Sequence, residues 1–362
     1  MKILYIANIR IPTEKAHGYQ IMKMCEQFSD QGVKVELVIP TKINKQLKKH
    51  DPFEYYKVIN NFKVTRVKCF DPRFLLKFPA GTYIKFQATL FIIALILFLI
   101  FKKNKSDYIF YTRDEYLLSI LQLFSKRVFW EGHSLPNRKK HYVEFFKKCA
   151  GLIVLTRTLK NNLIKLGIDK NKILVSPDAV DLNIFDIGMS KIEARKKLNL
   201  DDSKFILGYT GTFKTKGMDK GIKYILEALP KINSKNILFV GVGGSRAEIT
   251  EYLNLATDLS LDKKVLLLEP VSQKKLAIFQ KAFDVLLMPF PFEKHYAYFM
   301  SPLKMFEYMA SNRPIIASDL PTVREVLNEK NSIFCQPNDS FDLAEKIKLV
   351  MIDKNLTNRI AA

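Results

Sequence analysis

The 362-residue chain is short of several features that would point directly to a chemistry. Its four cysteines, Cys25, Cys69, Cys149 and Cys335, stand too far apart for a metal-ligand or redox pair. Reduced structural thiols of a cytoplasmic protein fit that spacing. Glycine is scarce, at 14 residues, and no Gly-x-x-x-x-Gly-Lys-Ser/Thr loop occurs, which argues against a P-loop nucleotidase. The lack of Gly-x-Ser-x-Gly, His-Glu-x-x-His and Cys-x-x-Cys argues against the hydrolases, zinc proteases and dithiol oxidoreductases that carry them. No Asp-x-Asp pair is present to hold a metal against a diphosphate, so a metal-free electrostatic mechanism is expected, with no metal ligands and no resident cofactor. Flexible Gly/Ser linkers, low-complexity tracts and close internal repeats are missing too. The opening apolar run, 1–7, is too short for a signal peptide and reads as a first strand.

Acidic residues are the other shortage. Asp plus Glu number 36 against 58 Lys plus Arg, a formal net charge of +22. Such an excess draws polyanions: nucleic acid, anionic lipid headgroups or phosphorylated substrates. No nucleic-acid module or aromatic-interleaved basic stretch accompanies it, so nucleic acid is not an expected partner. A solvated, Lys-rich surface is the plainer reading.

What is present describes a folded chain: 48% hydrophobic and 26% charged residues, over a length that suits two domains. One stretch, 88–101 (ATLFIIALILFLIF), is almost wholly apolar, with Lys85 before it and Lys102, Lys103 and Lys105 after it. As a helix it would be about 21 Å long, short of the ~20 residues that cross a hydrocarbon core. A buried core helix is the first reading. A helix lying in the plane of a membrane beside a basic rim is the second, and a transmembrane span the third.

Short apolar runs alternate with amphipathic stretches, the pattern of repeated β-α units on a parallel sheet. Strands are expected at 2–7, 33–39, 63–67, 108–111, 128–130, 152–155 and 173–175, with helices at 19–30 and 158–166. After Pro177-Asp178 and a charged segment, a second series follows at 205–210, 237–242, 265–268, 285–288 and 314–318. Helices at 222–228, 246–255, 274–282 and 302–310 lie between them. The expected organisation is an N-terminal domain over 1–185, a joining region over 186–202 and a C-terminal domain over 203–362. The last residues lie in a helical pattern with no C-cap signal, so that domain is expected to be cut short. Ligands of open parallel sheets bind at the carboxyl ends of the strands, which directs attention to the loops there.

Ser301-Pro302-Leu303-Lys304-Met305-Phe306-Glu307 reads as a Ser N-cap and an N1 proline opening a helix. Its free N–H groups and the positive end of its dipole would suit a diphosphate. Glu307, on the face of Leu303 and Lys304, could accept hydrogen bonds from the vicinal hydroxyls of a ribose. An ordinary capped amphipathic helix explains the same residues. Gly208-Tyr209-Thr210-Gly211-Thr212-Phe213-Lys214-Thr215-Lys216-Gly217 ends a strand in a loop where glycine permits close backbone approach. Lys216 there could neutralise a departing phosphate, or the loop could be merely basic. Gly241-Val242-Gly243-Gly244 matches a dinucleotide fingerprint only loosely. In the first half, Ala16-His17-Gly18 opens a helix, and Trp130-Glu131-Gly132-His133 ends a strand. Glu131 and His133 are candidates to position or polarise a substrate. His50, His141 and His295 are expected on the surface.

Together these segments resemble the family 4 retaining glycosyltransferases. The likeness rests on Ser301 through Ala310, on Arg313-Pro314-Ile315-Ile316-Ala317-Ser318-Asp319-Leu320-Pro321, on Ser176-Pro177-Asp178-Ala179-Val180-Asp181 with Phe185, and on Pro12-Thr13-Glu14-Lys15-Ala16-His17-Gly18. It implies an α/β GT-B fold, two doubly wound Rossmann-like domains facing a central cleft, with 1–185 the acceptor-binding and 203–362 the nucleotide-sugar-binding domain. It implies transfer of a sugar, with retention, from a nucleotide-diphosphate donor to a lipid-linked or polysaccharide acceptor of the cell envelope.

By the same resemblance, Glu307 would hold the ribose, and Ser301, Pro302 and Leu303 would meet the diphosphate with Gly211 and Thr212. Lys216 would stabilise the leaving phosphate, Gly18 would face the donor phosphates, and His133 would lie against the donor sugar. Two positions depart from the family pattern. Phe299 stands where a first Glu is usual, and Thr212 where an Arg is usual, with Lys214 available to supply the charge. The resemblance and the basic, apolar 85–105 segment together imply peripheral contact with the inner face of the cytoplasmic membrane. A same-fold sugar-nucleotide epimerase and a non-catalytic membrane-bound scaffold are the rival readings.

Overall fold

The computed structural model describes residues 1–42, 47, 49–79, 81–215 and 217–361. The chain forms two compact units, Met1–Val154 with Leu159–Ser176, and Leu155–Thr158 with Pro177–Ala362.

The first unit is built on seven strands: β1 (Lys2–Ile6), β2 (Lys34–Pro40), β3 (Lys63–Val67), β4 (Tyr108–Thr112), β5 (Val128–Gly132), β6 (Gly151–Val154) and β7 (Ile173–Val175). They pair in parallel in the order β3-β2-β1-β4-β5-β6-β7. Leu4, Tyr5 and Ile6 of β1 and Leu37, Val38 and Ile39 of β2 are all buried. Continuous burial of this kind, rather than alternation, marks strands covered on both faces. The strand order reverses between β1 and β4, which opens a crevice at their carboxyl ends. Helix α1 (Ala16–Asp30) follows β1 and packs Ile21, Met22 and Cys25 onto the sheet.

The apolar run differs from its expected form. Helix α2 starts six residues earlier and spans Thr82–Phe101, 20 residues, about 30 Å at 1.5 Å per residue. It is long and apolar enough to cross a membrane by length and composition. The core-helix reading does not hold for most of it. Gln87, Phe91, Leu95 and Leu99 form a buried stripe at four-residue spacing, whereas Phe86, Ile93, Leu97, Ile100 and Phe101 are exposed. A helix apolar on every side but buried on one leaves an apolar face in water. Phe70, Phe74, Leu76, Phe78 and Ile84, on and before its first turn, extend that exposed face.

The second unit holds β8 (Phe205–Thr210), a short antiparallel hairpin of β9 (Lys214–Thr215) and β10 (Met218–Asp219), then β11 (Ile237–Val242), β12 (Val265–Leu268), β13 (Val285–Met288), β14 (Ile315–Ser318) and β15 (Ile333–Cys335). The main sheet is parallel, in the order β12-β11-β8-β13-β14-β15, and reverses between β8 and β13. Within the stretch expected to join two domains, residues Lys191–Leu198 form helix α3, closed at its start by a reciprocal Ser190–Glu193 capping box. This helix belongs to the second unit. Arg195 is buried, donates to the carbonyls of Ala282, Asp202 and Lys204, and pairs with Asp284 at 2.5 Å. Helices α4 (Ile222–Ile232), α5 (Gln273–Ala282) and α6 (Leu303–Ala310) complete the frame around the carboxyl ends of β8 and β13.

Candidate active site

In the second unit, the loops after β8 and β11 approach so closely that side chains are excluded. A Cβ on Gly243 would lie 2.7 Å from the Gly211 carbonyl oxygen, and both residues have positive φ. Glycine is required at both. Against Gly211 lies Lys304, from the first turn of α6; a Cβ on Gly211 would come within 3.5 Å of its Nζ. Lys304 is 8% exposed, and its ammonium has no hydrogen-bond partner among the described residues. It sits 3.4 Å from the centroid of the Tyr209 ring and 5.4 Å from that of Phe290. Burial, reinforced by the charge of Lys220, lowers its pKa well below the usual lysine range. A buried cation without a hydrogen-bond partner, at the open end of a parallel sheet, is a group held ready for an anion.

Lys220 supplies the second cation. Its Nζ donates to Thr212 Oγ1 at 2.7 Å, and burial lowers its pKa too. Thr212 therefore lacks the guanidinium usual at its position but has an ammonium beside it. Lys214, expected to provide that charge, is instead paired with Glu251 at 2.6 Å. The turn carrying Lys220 is fixed by Asp219, which accepts from the Gly221 amide and from the Tyr252 hydroxyl.

Glu307, one turn beyond Lys304, accepts from Gln280 Nε2 at 3.3 Å. Gln280 also donates to Thr210 Oγ1 at 3.0 Å, while its Oε1 has no partner among the described residues. The Tyr308 hydroxyl accepts the Thr210 amide at 2.8 Å, tying α6 to the end of β8. Burial raises the Glu307 pKa, partly offset by Gln280 and Lys304. Gly211, Thr212 and Glu307 are thus brought around Lys304.

The start of α6 differs from its expected capping. Pro302 is the N-cap residue, in extended conformation, with no side-chain cap on the helix. Ser301 precedes it, and its Oγ accepts the Asp178 amide at 2.9 Å, so this hydroxyl anchors the 177–178 turn rather than capping the helix. The Leu303 and Lys304 amides open the helix without a side-chain acceptor. Phe299 ends the short helix Lys294–Tyr298, whose N-cap is Glu293, so that carboxylate lies at the opposite end of the helix from the position where one was sought. Lys216 lies outside the described residues.

The other two candidates belong to the first unit. His133 Nε2 lies 2.8 Å from Glu131 Oε1. Glu131 also pairs with Arg113 Nη2 at 2.8 Å and accepts from Arg113 Nε and the Tyr111 hydroxyl. Burial alone would raise its pKa, but the His133 hydrogen bond and the Arg113 charge bring it down to about 2. His133 is thus oriented by a fixed anion at the end of β5. Gly18 lies in the first turn of α1, and a Cβ there would meet the Tyr56 hydroxyl at 2.3 Å. Its amide already donates to the Lys15 carbonyl at 3.0 Å. Close packing is what the structure asks of Gly18.

Lys304, Lys220, Gln280 and Arg113 escaped the sequence reading. Lys304 stands inside the strongest motif, but only the packing of α6 shows that its ammonium turns inward. Among the described residues, no group of three or more His, Cys, Asp or Glu is placed to hold a metal ion.

The profile of the glycosyl transferases group 1 family matches residues 204–353. The chain carries a group 1 glycosyltransferase domain. That stretch holds every described element of the Lys304 site, from β8 to α6. An uncharacterised glycosyltransferase of Methanocaldococcus jannaschii is 24% identical over 218 residues, 59% of this chain and 53% of its own length. The O-antigen chain mannosyltransferase RfbU of Salmonella typhimurium is 26% identical over 203 residues, 56% of this chain and 51% of its own. The chain thus spans about half the length of these curated relatives. Among solved structures, Anabaena HepE in complex with UDP superposes with a TM-score of 0.71 at 16% identity, over 100% of this chain and 93% of that one. The group 1 domain and the unit before it have the GT-B fold.

Proposed function

We propose that this chain is a retaining glycosyltransferase. It moves a sugar from a nucleotide-diphosphate donor to a lipid-linked or polysaccharide acceptor of the cell envelope. The observation that carries the reading is Lys304, a buried ammonium without a hydrogen-bond partner beside Gly211, among Lys220, the uncapped amides of Leu303 and Lys304, and Glu307. A diphosphate at this place satisfies the cation and the helix start together. Glu307 accepts the ribose hydroxyls, and Lys216 meets the charge that grows on the leaving phosphate. Cationic side chains do here what a metal does in other transferases. RfbU and the UDP complex of HepE, as similar proteins, support a nucleotide-sugar donor and an envelope acceptor.

The exposed apolar face of α2, followed by the exposed Lys103, on a chain of net charge +22, supports contact with an anionic membrane surface at the inner face of the cytoplasmic membrane. The test is a thermal-shift screen of UDP-, GDP- and other nucleotide sugars, followed by transfer with membrane extract as acceptor source and NMR of the product anomer. One donor should stabilise the chain and be consumed only when acceptor is present, with its anomeric configuration kept. Glu307→Gln and Lys216→Met should each abolish transfer with the melting curve unchanged; full activity in both would sink the site assignment. Sugar conversion without acceptor would mean an epimerase.

A further inference from the structure

The carboxyl ends of β1 and β2 carry a second group of polar side chains that the donor site does not use. Arg10, after β1, donates from Nη2 to the Tyr83 hydroxyl at 2.7 Å, and Tyr83 donates to Asp71 at 2.6 Å. Lys42, after β2, donates to the Asn8 carbonyl at 3.1 Å. Asn8 Nδ2 donates to Gln87 Oε1 at 3.0 Å, and the Asn8 amide donates to the buried Asp114 at 2.8 Å. Tyr83 and Gln87 lie one turn apart at the start of α2, which therefore forms one wall of the group.

Among the described residues, three buried atoms here lack a hydrogen-bond partner: Arg10 Nε, Gln87 Nε2 and Asn8 Oδ1. Gln87 is only 2% exposed, and its Nε2 turns toward the Cys69 thiol, a weak acceptor. Buried donors of this kind are normally satisfied. Arg10 Nη2 has Asp71 at 4.0 Å, and two unmet donors beside Arg10 and Lys42 still call for a group rich in acceptors and bearing negative charge. Burial holds the Lys42 pKa down to about 8, with the Asp114 and Asp71 carboxylates acting the other way. The Arg10 side chain is 34% exposed, so the group is reached from solvent.

Cys69 belongs also to a groove of about 590 Å³ between residues 66–70 and the flank of α2. Leu90, Ala94, Leu97 and Phe101 line it, and Lys68 and Lys102 stand at its rim. An apolar trough thus begins beside the unmet donors and runs away from them along one helix.

We propose that Arg10, Lys42 and Gln87 bind the phosphate of a lipid phosphate whose hydrocarbon chain lies in the groove along α2. This inference rests on the transferase reading and names the acceptor class: an amphiphile with an anionic phosphate at the head of an alkyl or isoprenoid chain. The phosphate oxygens accept from Arg10 Nε, Gln87 Nε2 and the Lys42 ammonium, and the chain covers Leu97 and Phe101.

The test is titration calorimetry on the full chain with octyl phosphate below its micelle concentration, against inorganic phosphate and octyl glucoside. Octyl phosphate should bind at least tenfold tighter than either. Arg10→Gln and Gln87→Glu should each weaken it tenfold or more, and Leu97→Ser severalfold, with the nucleotide-induced thermal shift unchanged. If Gln87→Glu does not fold, Arg10→Gln carries the same test. Inorganic phosphate binding equally well would overturn the lipid assignment. Octyl glucoside binding equally well would overturn the phosphate assignment, and indifference to the variants would overturn the site. Octyl phosphate binding as described without any nucleotide response would sink the transferase reading alone. A nucleotide response without octyl phosphate binding would sink the pocket alone.

Discussion

Replacing Lys304 by Met should make the protein more stable and less able to bind its donor. The ammonium is buried without a hydrogen-bond partner, an arrangement that costs about 1–3 kcal/mol. Its position over Tyr209 returns part of this, about 0.5–2 kcal/mol. Methionine has similar length and no charge, so Lys304→Met should stabilise the second unit by about 1 kcal/mol, or raise its Tm by roughly 2–4 °C. The effect has a pH signature. The folded-state pKa of Lys304 lies well below 10.5, so between the two values the unfolded chain binds the extra proton. Wild-type stability at this residue therefore rises with pH across that window, and the advantage of Met fades as pH approaches 10.5. In binding, the variant loses a charge-assisted hydrogen bond of about 1.5–3 kcal/mol, a roughly 10- to 150-fold loss of UDP affinity. Calorimetric melting at two pH values and titration with UDP measure both halves. A variant that melts below wild type and binds UDP equally well would refute the reasoning.

Other outcomes follow from the same geometry. Just below pH 10.5, UDP binding should take up protons, because a diphosphate favours the charged form of Lys304, whose pKa burial lowers; titration in buffers of different ionisation enthalpy reads this directly. Arg113→Met should leave Glu131 buried against His133 and the Tyr111 hydroxyl without its guanidinium, and cost about 3–5 kcal/mol of first-unit stability, seen in urea unfolding. In the wild type, the Glu131 pKa of about 2 means that its contribution is present above the usual glutamate value of 4.5 and is lost as pH falls toward 2. In Arg113→Met the acid limb of the unfolding curve should therefore move to higher pH. The double variant Ile93→Ser, Ile100→Ser should reduce flotation with vesicles containing anionic lipid severalfold and leave UDP binding untouched.

Much of this could be read beforehand, and the reasons are local. Six of the strands, β3, β7, β8, β11, β12 and β13, run over the residues their apolar pattern marked, because short buried runs bounded by polar residues leave little freedom. The start of α2 was not legible: Thr82 to Gln87 mix polar and apolar residues, and the run that caught the eye began after them. The β9–β10 hairpin and β15 are too short to show a period. Glu307 was legible from its motif. The inward turn of Lys304 was not, since a lysine on an amphipathic helix reads as surface until the neighbouring ring of Tyr209 is in place. Arg113 and Glu131 lie 18 residues apart and meet only because β4 and β5 are neighbours.

The edge position of β3 has a consequence for handling the protein. An edge strand offers unpaired backbone groups to any other strand, and the exposed face of α2 adds apolar surface from the same unit. Lys63, Arg66 and Lys68, within and just after β3, together with the general excess of positive charge, hold copies of the chain apart by repulsion. That protection reaches about 10 Å in 0.1 M salt and about 3 Å in 1 M. Concentrated salt, commonly added to keep basic proteins in solution, should therefore drive this one to self-associate.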